Sequence, residues 1–135
     1  LPLVLAASPS YIAQHGQPKS PQALADHHCI IDSNFRIGTK WPLVSPDGKT
    51  QSIGVNSKVC ANSPRAVKAM VLAGGGIGMI PKFIIEQELK QGSLQEILPE
   101  YKTLEFGLFA VYPHRRYLAN KVRCFIDFLI TEFSD

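Results

Sequence analysis

No stretch of this sequence reaches the roughly 18–20 consecutive apolar residues that a membrane-spanning helix needs, and none carries a dense block of positive charge. Lysine and arginine total 14 against 11 acidic residues, a formal charge of +3, and the basic residues are scattered. The densest group, His114-Arg115-Arg116 with Lys121 and Arg123 beyond it, is too weak a stripe for nucleic acid, so no DNA contact is expected from this segment. Cysteine is scarce and odd in number. Cys29, Cys60 and Cys124 lack metal-like or redox spacing and sit among apolar neighbours, which predicts small core residues in a reducing, cytoplasmic compartment. The apolar opening Leu1-Pro2-Leu3-Val4-Leu5-Ala6-Ala7 has no basic stretch before it, so it reads as a buried strand rather than a signal peptide. With no methionine at the start, the chain is expected to be part of a longer protein.

What is present is enough for a core. Hydrophobic residues make up 45% and charged residues 19% of 135, which suits one ordinary domain, or one lobe of a two-lobed domain plus part of the other. Leu3 to Ala6 reads as a strand, followed by a short helical turn from Pro9 to His15 that closes at Gly16. Ser20-Pro21 starts a further helix, with serine as the cap and proline at the first helical position. Cys29 to Asp32 is a second strand, and Ser33-Asn34 opens a polar connection. Trp41–Val44 and Ser52–Val55 flank Ser45-Pro46-Asp47-Gly48 and predict a hairpin. Lys58-Val59-Cys60 is expected to continue that ladder. Asn62-Ser63-Pro64 opens a helix with Val67, Met70 and Val71 on its buried face and Gly74 as its stop. Ile77–Ile80 is a strand, Pro81 opens a helix that ends at Gly92, and Leu94–Leu98 is a strand. Phe106–Tyr112 is an aromatic and β-branched strand candidate. Leu118, Val122, Phe125, Leu129 and Phe133 then recur as one helical stripe. Alternating strands and helices with a hairpin argue an α/β fold with a mixed sheet.

Three groups invite a chemical reading. Gly74-Gly75-Gly76-Ile77-Gly78 follows a helix and precedes a strand, the reverse of the order that aims a helix N-terminus at a dinucleotide phosphate. It reads as a helix stop whose amides can still line a ligand site. His27-His28 point in different directions and lack further ligands, so no metal is expected, while His15 and His114 read as surface residues. Serines are plentiful without a Gly-x-Ser-x-Gly elbow, and Asp32 at a strand end reads as a turn-forming carboxylate. No catalytic residue and no cofactor are expected. Ser8, Ser33 and Asn34 instead follow apolar strands, and Asn62-Ser63 opens a helix, a pattern that suits a ligand beyond the strand ends.

Taken in order, several motifs resemble the sensing domain of LysR-type transcription regulators. They are Leu5-Ala6-Ala7-Ser8-Pro9-Ser10-Tyr11-Ile12, Ser20-Pro21-Gln22-Ala23-Leu24-Ala25-Asp26-His27, Trp41-Pro42-Leu43, Asn62-Ser63-Pro64-Arg65-Ala66-Val67, Ala73 to Pro81, Gly92-Ser93-Leu94, and Val111-Tyr112-Pro113 with Val122 to Leu129. The resemblance covers nearly the whole chain. It implies a Rossmann-like lobe of a periplasmic-binding-protein-like (type 2) two-lobed domain, with residues 1–103 as lobe two and 104–135 returning to lobe one. The preceding winged helix-turn-helix and first part of lobe one lie outside this sequence, so the apolar face of the returning strand and helix must be covered by other sequence, a partner or a rearranged packing. By position, the resemblance implies effector contacts from Ser8, Ser33, Asn34, Phe35, Gly76, Ile77 and Gly78, with Arg36 able to pair with an acidic effector. Implied partners are a small-molecule effector, further copies forming a dimer or tetramer, and promoter DNA through the N-terminal segment alone, with no membrane. The alternative is a fragment of an exported solute-binding protein of the same fold.

Overall fold

The computed structural model describes residues 1–105 and 120–133. The chain divides into two compact units at Glu105. In the first, Pro2–Glu105, the elements follow as β1 (Leu3–Ala7), α1 (Pro9–His15), a 3-10 helix (Pro21–Asp26), β2 (His28–Asp32), β3 (Lys40–Val44), β4 (Thr50–Gly54), β5 (Asn56–Ala61), α2 (Pro64–Leu72), β6 (Ile77–Pro81), α3 (Lys82–Gln91) and β7 (Gln95–Ile97). The second unit contributes α4 (Asn120–Phe133), and the expected strand over Phe106–Tyr112 lies outside the described residues.

The main sheet has the order β5-β2-β6-β1-β7, and β3-β4 form a separate two-stranded hairpin. β2 runs parallel to both β5 and β6, whereas β1 is antiparallel to β6 and to β7. The sheet is therefore mixed, as alternating elements with a hairpin imply. One cluster, with Leu5, Tyr11, Leu24, Cys29, Trp41, Leu43 and Ile77, packs under α1, the 3-10 helix and the hairpin. The other, with Ala6, Ile30, Val67, Val71, Ile80 and Ile85, packs under α2 and α3. Successive strand residues serve opposite faces, so Cys29 and Ile31 join the first layer while Ile30 joins the second. Each fully buried Leu, Ile or Val in these layers contributes about 1.5–3 kcal/mol.

Local chemistry accounts for most boundaries. Ser8 caps α1 by accepting the Tyr11 N–H at 3.2 Å, and Ser63 caps α2 through the Ala66 N–H at 3.5 Å. The hairpin turns where Gly48 N–H donates to Ser45 O at 2.9 Å. Pro21–Asp26 is helical as expected, in 3-10 form. Three expectations are corrected. The Ser20 side chain makes no capping bond. Lys58-Val59-Cys60 leaves the hairpin for the edge of the main sheet, where Asn56 anchors it by donating to Ala25 O at 2.6 Å. Being on that edge also exposes Cys60. Cys124 on α4 is exposed as well, so Cys29 alone of the three is a core residue. On α4, Phe125, Phe128 and Ile130 are exposed.

Candidate functional site

Strand direction decides which polar residues can meet. Ala6 is opposite Gly78 on β6, and Gly78 is opposite Ile30 on β2. Extending this register puts Ser8, Gly76 and His28 at one level of the sheet, and Leu3, Pro81 and Ser33 at the other. Those levels are roughly 16 Å apart at ~3.3 Å per residue. The seven residues singled out from sequence thus fall into two groups at opposite ends of the sheet.

The first group belongs mostly to packing. Ser8 is buried as the α1 cap, with its Oγ 3.0 Å from the Ser10 Oγ. Gly76 has φ +152°, and a Cβ there would lie 2.4 Å from the His28 carbonyl oxygen. Ile77 is fully buried, and a Cβ on Gly78 would meet the Val71 and Val67 methyls at 2.7 and 2.9 Å. The helix-glycine-strand order removes any phosphate-loop geometry here.

The second group lies at the carboxyl ends of the parallel strands β5, β2 and β6. The chain leaves β2 toward the hairpin layer and leaves β5 toward α2 in the opposite layer. Connections that depart to opposite faces make a topological switch point between the two strand ends, the kind of crevice where open α/β sheets bind ligands. Two links span it. Ser33 donates from both its N–H and its Oγ to the Ala61 carbonyl at 2.8 and 3.2 Å, and Asn34 Nδ2 donates to the Asn62 carbonyl at 2.7 Å. Ser33 and Asn34 are exposed, while Phe35 is half-buried against the hairpin-side core.

Asp32 fixes this loop. It is 4% exposed, and its Oδ1 accepts the Asn34 N–H at 2.9 Å, the turn role expected of it. Its Oδ2 is buried without a hydrogen-bond partner. Ser63 caps the nine-residue α2 on the far side of the crevice, and the positive end of that helix favours an anion; Arg36 is exposed, and Arg65 lines a separate cavity with Lys68, Leu72 and Phe83. Asn62 and Ser63 were legible as a helix start, but their partnership with Asn34 needs the parallel pairing of β2 with β5. Among the described residues, no group of three or more metal-ligating side chains gathers, and none of their helices is long and apolar enough to cross a membrane.

The chain belongs to the LysR substrate binding domain family, which it matches over residues 1–134. It is 40% identical over 117 residues to an uncharacterized HTH-type transcriptional regulator of Haemophilus influenzae, covering 87% of this chain and 40% of that one. It is 30% identical to the HTH-type transcriptional regulator PtxR of Pseudomonas aeruginosa, covering 93% and 40%. The chain thus spans about two-fifths of the length of these regulators. Its structure resembles the regulatory domain of AphB from Vibrio vulnificus at a TM-score of 0.72 and 29% identity, covering 97% of this chain and 64% of that one. The CrgA regulatory domain of Neisseria meningitidis shares the fold at a TM-score of 0.76, with 24% identity and coverage of 98% and 65%. The fold is that of LysR regulatory domains, periplasmic-binding-protein-like with two lobes, and these relatives are transcription regulators.

Proposed function

We propose that this chain is the effector-sensing and oligomerising part of a cytoplasmic bacterial transcription regulator, with no catalytic step of its own. Residues 1–103 supply lobe two and 104–135 return to lobe one. The effector is a small anion, an organic acid, seated against Ser33, Asn34 and Phe35 with the start of α2 facing it. One observation carries this reading: Asn34 bridges to Asn62 across the crevice where the loops after β2 and β5 part to opposite faces. An acid held there biases lobe closure, and closure changes how DNA-binding segments, joined through a dimer or tetramer, sit on a promoter.

A thermal-shift screen of the intact parent regulator with small carboxylates and aromatic acids, run beside promoter footprinting, tests the proposal. The expected result is an acid that raises Tm and alters the footprint. Stabilisation by an acid in a full-length protein that never binds DNA supports a solute-binding protein instead.

A further inference from the structure

At the end of the sheet away from that crevice, four rings meet. Tyr11, 1% exposed on α1, has its hydroxyl 2.8 Å from His27 Nδ1 and accepts the His28 backbone N–H at 3.1 Å. Its ring stacks on His15 with centroids 4.5 Å apart and planes at 22°, and His15 meets His28 edge-on at 5.4 Å. We propose that Tyr11, His15, His27 and His28 form a proton-operated latch that holds α1 against the junction of the 3-10 helix and β2, closed at neutral pH and released in mild acid.

The donor count gives the mechanism. The Tyr11 oxygen accepts from His28, and its own proton can go to His27 Nδ1 when that nitrogen carries none. That nitrogen accepts only in a neutral imidazole carrying its proton on Nε2; in the imidazolium both ring nitrogens are donors. From that tautomer, protonation of His27 turns Nδ1 from acceptor to donor, and the Tyr11 hydroxyl loses this acceptor. The His15 and His28 rings, which meet edge-on at 5.4 Å, also weigh against a charged His27. Among the described groups acting on His27, Asp26 opposes this by favouring its charged form. Burial holds the Tyr11 phenol above its ordinary range and the Cys29 thiol up at about 12, so both stay neutral and supply no counter-charge.

Burial, then the charge of His15, Asp26 acting in opposition, and finally His28 set the His27 value, with a net lowering from the usual 6.5. A lowered imidazole value means that the unfolded or opened chain binds the proton more readily. The latch's contribution is therefore full above about pH 6.5 and is lost as the pH falls through the lower folded value.

Amide hydrogen exchange on the intact protein at pH 7.5 and 5.5, corrected for intrinsic rates, tests the latch. Residues 8–16 and the His28 amide are expected to lose protection several-fold at pH 5.5, while the core of β6 does not. In His27→Gln, whose side chain does not ionise in this range, that pH difference should shrink. Unchanged protection of α1 at pH 5.5 would overturn the proposal, and so would a full pH response retained in His27→Gln. If the variant does not fold, the imidazole titration of wild-type His27 by NMR decides, since a value at or above 6.5 contradicts the latch.

Discussion

Asn34 donates its side-chain amide to the main-chain carbonyl of Asn62 across 2.7 Å, tying the loop after β2 to the start of the α2 connection. Both residues lie at the surface, so this bond competes with water and is worth about 1 kcal/mol. Asn34→Ala should lower unfolding stability by about that amount in urea denaturation without changing the slope, because the surface exposed on unfolding is the same.

Gly76 and Gly54 provide a sharper contrast in stability. A methyl at Gly76 meets the His28 carbonyl at 2.4 Å with φ at +152°, whereas at Gly54 nothing lies within 4 Å. Gly76→Ala is expected to cost more than about 3 kcal/mol and to prevent recovery of folded protein. Gly54→Ala should stay within about 1 kcal/mol of wild type. Expression yield and thermal melts separate the two.

The cysteines should divide by reactivity. Cys29 is buried with its thiol pushed up to about 12, while Cys60 and Cys124 are exposed. Thiolate is the reactive form, so titration with a thiol reagent at pH 8 should count two fast groups. The third should react only after denaturation.

Glu88 on α3 pairs with Lys68 on α2, and Lys68 also donates to the Ile84 carbonyl at 3.1 Å. The Lys68 hydrogen bond is the largest cause holding the Glu88 carboxyl below its ordinary 4.5. A depressed carboxylate contributes stability above the unfolded value and loses it as pH falls through the folded one. Stability should therefore fall as the pH drops below about 4.5, and Glu88→Gln should flatten that slope in melts at pH 3 to 6.

Much of the fold is legible in the sequence because its punctuation is local. Ser8-Pro9, Ser63-Pro64, the Ser45–Gly48 turn and Gly92 mark boundaries that the structure keeps. Strand direction is not local, and the site depends on it. Ser8 and Ser33 both follow apolar strands, yet β1 runs against β2, so they lie at opposite ends of the sheet. The same gap put Lys58-Val59-Cys60 in the hairpin, since only tertiary pairing shows that β5 belongs beside β2. His15 lies at the surface as expected, and the partner the reading missed is Tyr11, four positions earlier on one helix face, the spacing at which side chains meet.

The most direct test of the account is an equilibrium titration of a stabilising carboxylate against the intact parent regulator and two variants, Asn34→Ala and Ser10→Ala. Asn34 sits at the proposed crevice, whereas Ser10 lies beside Ser8 and Gly74 at the far end of the sheet. The account predicts that Asn34→Ala weakens binding about tenfold, or about 1.4 kcal/mol, while Ser10→Ala changes it less than about twofold. A Kd unmoved by Asn34→Ala and raised by Ser10→Ala would contradict it and put the effector at the opposite end of the sheet.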